Sequence, residues 1–271
     1  MNLSVSTLAC PDWSLPQVVE ACVASGITGI DFRGLGPEID VTRVDAFNAD
    51  LPATLALFAK QSLRIPCFST SVTLISPSPQ RWQEMLDEAH RYATLAGKTS
   101  TPYIRVFGGA MPKGITRDEA LAMAGRHLRQ LLKICKPHHT QPLLETHDAW
   151  ATSSAARELL HEFDPADVGL LWDVEHTWRA GESPAETAEA LRRHIRHIHV
   201  KDSLAAEGKF TPKLLGEGDV PLSEVFKALR RIGYDGWFCL ETEKRWHPDL
   251  APAPEVSIPH FARYMKSASA H

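Results

Sequence analysis

This sequence predicts an α/β fold, a (β/α)8 barrel. Short β-rich runs return at a regular interval, a helical pattern follows each, and 271 residues suits a barrel of about 250. Leu3 to Leu8 is the first expected strand, with a helix from Leu15 closed by Ser25-Gly26. Gly29 to Arg33 is the second, followed by a helix around Asp45 to Gln61. Arg64 to Thr70 is the third, with a helix from Trp82 to Ala96 stopping at Gly97. Tyr103 to Phe107 is the fourth, before a helix over Arg117 to Cys135.

The second half repeats the alternation. Expected strands run over Pro142 to Thr146, Val168 to Asp173, Ile195 to Val200 and Trp237 to Glu241. The helices between them cover Ser153 to Phe163, Pro184 to His194 and a stretch opened by Pro221 and stopped by Gly233; Pro254 to Lys266 closes the chain. Crossover helices return the chain to the same end, so the strands are parallel. No linker or low-complexity segment divides the chain, so residues 1–271 read as one domain. Neither G-x-G-x-x-G nor a P-loop occurs, which removes the usual arguments for an open dinucleotide- or nucleotide-binding sheet.

A net charge of -4 argues against a nucleic-acid binder, which would carry a basic face. Five scattered cysteines without C-x-x-C suit reduced, buried thiols in a cytoplasmic protein. No apolar run approaches about 18 residues, so no membrane span is expected. Leu8-Ala9-Cys10 lacks the basic and apolar stretches that a signal peptide would place before it.

In a barrel of this kind chemistry sits at the C-terminal ends of the strands. Four expected strands end in metal-ligand residue types: Glu145, Asp173, His199 and Glu241. Any one acidic residue there could be a helix cap or a solvated loop residue. Four residues of ligand type at the same end are hard to attribute to capping. A carboxylate at an apolar barrel mouth needs a partner, and three carboxylates with one imidazole would supply the ligands of one divalent ion: Mn²⁺, Zn²⁺, Mg²⁺ or Co²⁺. Strand alternation puts His147 with Glu145, His197 and Lys201 with His199, and Glu243 with Glu241. Asp31 and His197 can also reach the barrel interior, without an assigned role. Gly216-Glu217-Gly218-Asp219 reads as a tight turn, because it has no basic partner that would make it an anion-binding loop.

At Leu144-Glu145-Thr146-His147, Trp172-Asp173-Val174-Glu175-His176, His197-Ile198-His199-Val200-Lys201-Asp202, Leu215 to Pro221 and Leu240-Glu241-Thr242-Glu243, the sequence resembles the xylose-isomerase-like TIM-barrel superfamily. More narrowly it is similar to the sugar phosphate isomerase/epimerase group, over essentially the whole chain. The resemblance implies that Glu145, Asp173, His199 and Glu241 hold the metal, with Glu145 and Glu241 also serving as the acid/base pair. It places His176 beside the metal. His147, His176 and Lys201 are further substrate contacts, or orient the ligands. Arg105 and Arg33 either bind substrate oxygens or form surface salt bridges. Trp13, Phe68, Phe107 and Trp246 either wall the pocket or belong to the core.

The chemistry so implied is isomerisation or epimerisation of a carbohydrate-like small molecule through a metal-stabilised enediolate. A dehydratase of the inosose or dehydroshikimate type, using the same site, is the alternative. A barrel that binds a ligand without catalysis is the third reading. Endonuclease IV, with its larger ligand set and DNA-binding surface, is a poor match to an acidic chain. Relatives commonly form homo-oligomers, which extends here only by analogy.

Overall fold

The computed structural model describes residues 1–268. In chain order the elements are β1 (Asn2–Ser6), α1 (Leu15–Ala24), β2 (Gly29–Asp31), α2 (Leu51–Lys60), β3 (Cys67–Thr73), α3 (Pro79–Thr99), β4 (Tyr103–Phe107) and α4 (Arg117–Cys135). Then come β5 (Gln141–Glu145), α5 (Ser153–Leu160), β6 (Gly169–Asp173), α6 (Val174–Arg179), α7 (Pro184–Leu191) and β7 (Ile195–Val200). Last are β8 (Asp202–Ala206), β9 (Lys209–Lys213), α8 (Leu222–Arg231), β10 (Trp237–Leu240) and α9 (Pro254–Ala268). Eight parallel strands with flanking helices form the (β/α)8 barrel, in the order β2-β1-β10-β7-β6-β5-β4-β3.

The chain divides into two units, residues 1–66 with 197–271, and residues 67–196. In the first, β1 pairs with β2 through Ser4–Gly29 to Ser6–Asp31, and with β10 through Asn2–Trp237 to Val5–Leu240. β10 pairs in turn with β7, setting Cys239 opposite His199. In the second unit β3, β4, β5 and β6 pair in sequence order, with Arg105 opposite Leu143 and Glu145 opposite Leu171.

Helical periodicity decides which faces are buried. α3 buries Trp82, Met85, Ala89, Tyr92, Ala93 and Ala96, the spacing of one helix stripe. α4 buries Ala120, Ala124, Leu128, Leu131 and Cys135, and a Thr116–Glu119 capping box starts it. Gly108, just beyond β4, lies so close to Trp150 that a Cβ would sit 2.0 Å from its indole ring. Only glycine fits there.

Several expected boundaries move, each for a local reason. The third strand begins at Cys67 because Pro66 cannot donate to a ladder; Arg64 makes only an isolated bridge to Gly29. The helix expected from Asp45 begins at Leu51, opened by Pro52, after a 3-10 turn over Asp45–Phe47. α3 runs past Gly97 to Thr99, where Ser100 adopts the left-handed conformation that ends it. The six-residue α6 and the antiparallel hairpin of β8 and β9 were not anticipated. All five cysteines are free and buried, and no helix of the described residues is long and apolar enough to cross a membrane.

Candidate metal centre

In the unit of residues 67–196, Glu145 is the last residue of β5 and is buried. Arg105, on neighbouring β4, places its Nε 3.2 Å from Glu145 Oε2, with both side chains 2% exposed. The guanidinium is fixed on two further sides. It donates to the Thr70 carbonyl at 3.1 Å and lies 3.8 Å over the Phe107 ring. Arg105 is therefore buried beside the expected acid/base residue, which discards the surface salt-bridge reading.

Asp173 closes β6 and also starts α6. Its Oδ1 accepts from the backbone N–H of Glu175 (3.0 Å) and His176 (3.3 Å), and its Oδ2 lies 3.7 Å from His176 Nε2. Capping and metal ligation are thus compatible: the cap engages one carboxylate oxygen. The ends of β5 and β6 are tied by Thr146, whose hydroxyl accepts from Asp173 N at 2.9 Å and donates to Asp173 O at 3.2 Å.

His147 stands between Phe107 and His176, with ring centroids 4.8 and 4.4 Å away. Its Nδ1 is 3.0 Å from Asp148 Oδ2. Burial pulls the His147 pKa down, but the Asp148 hydrogen bond and the charges of Glu145, Asp148 and Asp173 outweigh it, and the net shift is upward. Asp148 is lowered in turn, chiefly by the same hydrogen bond.

In the unit of residues 1–66 and 197–271, Glu241 follows β10, and its N–H donates to the Val200 carbonyl of β7 at 3.1 Å. That pairing sets Glu241 Oε1 3.0 Å from His199 Nδ1 and Oε2 3.0 Å from Lys201 Nζ. Lys201 also meets Glu243 Oε1 at 2.7 Å, so one ammonium serves two carboxylates. Glu243 was expected only to share a face with Glu241. Arg33 is buried at 9% exposure, and Thr7 Oγ1 accepts from its backbone N–H. Of the aromatic residues, Phe68 packs in the core against Tyr92, Phe107 touches Arg105 and His147, Trp13 is half-buried and Trp246 is 51% exposed.

Two interactions lay outside the sequence reading. Asp31 Oδ2 and His197 Nε2 are 2.5 Å apart, both side chains fully buried. Alternation indicated that each faces inward, but not that they meet. The Asp202 carboxylate accepts from the backbone N–H of Ser203, Gly216, Gly218 and Val220. Gly216 to Asp219 is therefore an anion-holding loop after all, with an anion from the chain itself. Among the described residues, Asp31, His197, His199 and Cys239, all of one unit, are buried and could hold a metal ion; Glu145 and Asp173 in one unit, and His199 and Glu241 in the other, are buried residues of metal-ligand type.

Parallel strands ending in buried carboxylates and imidazoles define the class as a (β/α)8 barrel with metal-ligand residue types at its strand ends. A family model described as the xylose isomerase-like TIM barrel matches residues 19–267, and the chain belongs to that family. Among curated proteins, an inosose dehydratase of Geobacillus thermodenitrificans is 31% identical over 110 residues, 34% of this chain and 36% of that protein. A 3-dehydroshikimate dehydratase of Bacillus anthracis is 26% identical over 128 residues, 46% of each chain. The chain thus spans less than half the length of these two curated relatives. The IOLI protein, solved with a bound zinc atom, shares the fold at a TM-score of 0.85 and 17% identity, covering 100% of this chain and 98% of that one.

Proposed function

We propose that this protein, acting as a single (β/α)8-barrel domain, is a divalent-metal-dependent dehydratase of a sugar-like hydroxy-ketone, of the inosose or dehydroshikimate type. The observation that carries the reading is the burial of metal-ligand residue types at strand ends, Glu145 and Asp173 in one unit and His199 and Glu241 in the other. Buried carboxylates with an imidazole need compensating charge, and oxygen-rich mixed ligation suits Mn²⁺, Mg²⁺, Co²⁺ or Zn²⁺. The residues present fit the group. The names of the curated relatives put dehydration ahead of the epimerisation expected from the sequence.

When bound, the cation supplies Lewis acidity toward the substrate's carbonyl. The remaining work falls to the chain. Glu145 and Glu241 are each held against a fixed cation, Arg105 or Lys201. An ionised carboxylate is the form that accepts a proton, so one of them removes the hydrogen from the carbon beside the carbonyl. His147, with its raised pKa, is suited to deliver a proton to the departing hydroxyl. The electron pair of the broken C–H bond becomes the new C=C bond, the C–O bond breaks, and water leaves. Arg105, held by Thr70 and Phe107, positions Glu145, and Lys201 positions Glu241.

The test is product analysis in D₂O with inosose and 3-dehydroshikimate, over a series of added divalent ions. Loss of water is expected, with the ultraviolet absorbance of a new conjugated C=C bond from inosose and of an aromatic ring from 3-dehydroshikimate. Deuterium exchange at carbon without loss of water would replace dehydration by epimerisation at the same site. No metal-dependent turnover of either kind would remove the reading.

A further inference from the structure

We propose that Asp31, His197, His199 and Cys239 form a second cation site of softer character, fit for Zn²⁺ or Co²⁺. All four side chains are fully buried, and one ligand atom from each lies within 4.8 Å of the others. They sit on β2, β7 and β10, strands of one unit. His197 precedes His199 by two residues and Cys239 precedes Glu241 by two, so His197 and Cys239 lie one layer further from the strand ends.

A second observation points to a ligand. The Asp31–His197 contact uses Oδ2 and Nε2, while Asp31 Oδ1 and His197 Nδ1 are buried with no hydrogen-bond partner. Buried polar atoms are ordinarily satisfied, and a cation would satisfy a carboxylate oxygen and an imidazole nitrogen together. The donors, one oxygen, two nitrogens and one sulfur, make up a four-coordinate set of the kind Zn²⁺ and Co²⁺ accept. The set Glu145, Asp173, His199 and Glu241 contains no sulfur. His199 is common to both and has two ring nitrogens, one of which, Nδ1, lies beside Glu241. Binding exchanges the Cys239 thiol proton for the ion and releases that proton to solvent; when both sets are filled, His199 also releases its remaining ring proton and bridges the two ions as an imidazolate.

Cobalt distinguishes the two sets, because only the one with Cys239 can give a sulfur-to-cobalt charge-transfer band. Chelator-stripped full-length protein is titrated with Co²⁺, following the near-ultraviolet spectrum and bound metal after desalting. The proposal expects roughly two equivalents per chain and a thiolate band that saturates with one of them. In Cys239→Ser the band disappears and bound cobalt falls by about half. The unaltered protein carries the primary test, so a poorly folding variant does not blunt it. One equivalent without the band overturns this site and leaves the proposed function standing. One equivalent with the band supports this site and removes the metal from the proposed function. No bound cobalt overturns both.

Discussion

At the scale of the residue, Asp173 allows two roles to be separated. Its Oδ1 caps α6, and asparagine caps nearly as well as aspartate while lacking the charge. Asp173→Asn is expected to leave the melting temperature of metal-free protein nearly unchanged and to abolish most of the stabilisation by added Mn²⁺. Asp173→Ala is expected to lose the cap as well, about 1 kcal/mol. Thermal melts with and without metal check both; equal metal-induced shifts in Asp173→Asn and the parent would remove Asp173 from the ligand set. Glu145→Gln keeps the side-chain shape and is expected to cost at least about 100-fold in kcat when assayed at saturating metal. Undiminished turnover would rule out Glu145 as the base. Inward-facing ligand types were legible here because strand alternation is local. The contact of Asp31 with His197 joins residues 166 apart, and no local pattern encodes it.

At the scale of the element, the hairpin of β8 and β9 hangs from one carboxylate. Asp202 accepts four backbone N–H bonds, and at Gly218 a Cβ would meet Asp202 Oδ1 at 2.1 Å. Asp202→Ala leaves those donors unanswered, at about 1–3 kcal/mol for each one that water does not reach. A fall in melting temperature of several degrees is expected, with faster amide exchange at Gly216, Gly218 and Val220. Unchanged exchange there would show that the loop is held otherwise. The sequence showed the glycines but not what they surround, because the recipient lies 14 to 18 residues earlier.

A second element-scale expectation concerns α4. His127 stacks on Trp82 of α3 with centroids 3.7 Å apart, and its Nδ1 is 2.7 Å from the Leu74 carbonyl oxygen. Burial lowers its pKa, against a smaller opposing effect of the Leu74 hydrogen bond. The unfolded chain then binds the proton more readily than the folded one. This contribution is full above the ordinary histidine pKa of about 6.5 and declines as pH falls toward the lowered value. His127→Gln is expected to show a smaller loss of melting temperature than the parent between about pH 7.5 and about pH 5.5. An equal or larger loss would contradict the assignment.

At the scale of the whole molecule, an ion that binds only the folded chain adds to its stability by mass action. At 100 times its dissociation constant the gain is about 2.7 kcal/mol, so saturating metal is expected to raise the melting temperature and a chelator to reverse the rise. A melting temperature indifferent to both would contradict the proposed ligation. The barrel was legible because its eight strands announce themselves by length, spacing and helical follow-on. The hairpin is an addition to that rhythm. It was missed because its residues carry no alternation of apolar and polar side chains: Leu204 to Lys209 are all exposed.

That same exposure has a practical side. Glu207 and Gly208 form the hairpin tip, both at positive φ, as a two-residue type I′ turn requires. Nothing buried depends on their side chains, and the Asp202 anchorage lies at the far end of the ribbon. Foreign sequence should therefore be accepted between Glu207 and Gly208, making the tip a point for fusing a reporter or an immobilisation handle to the protein.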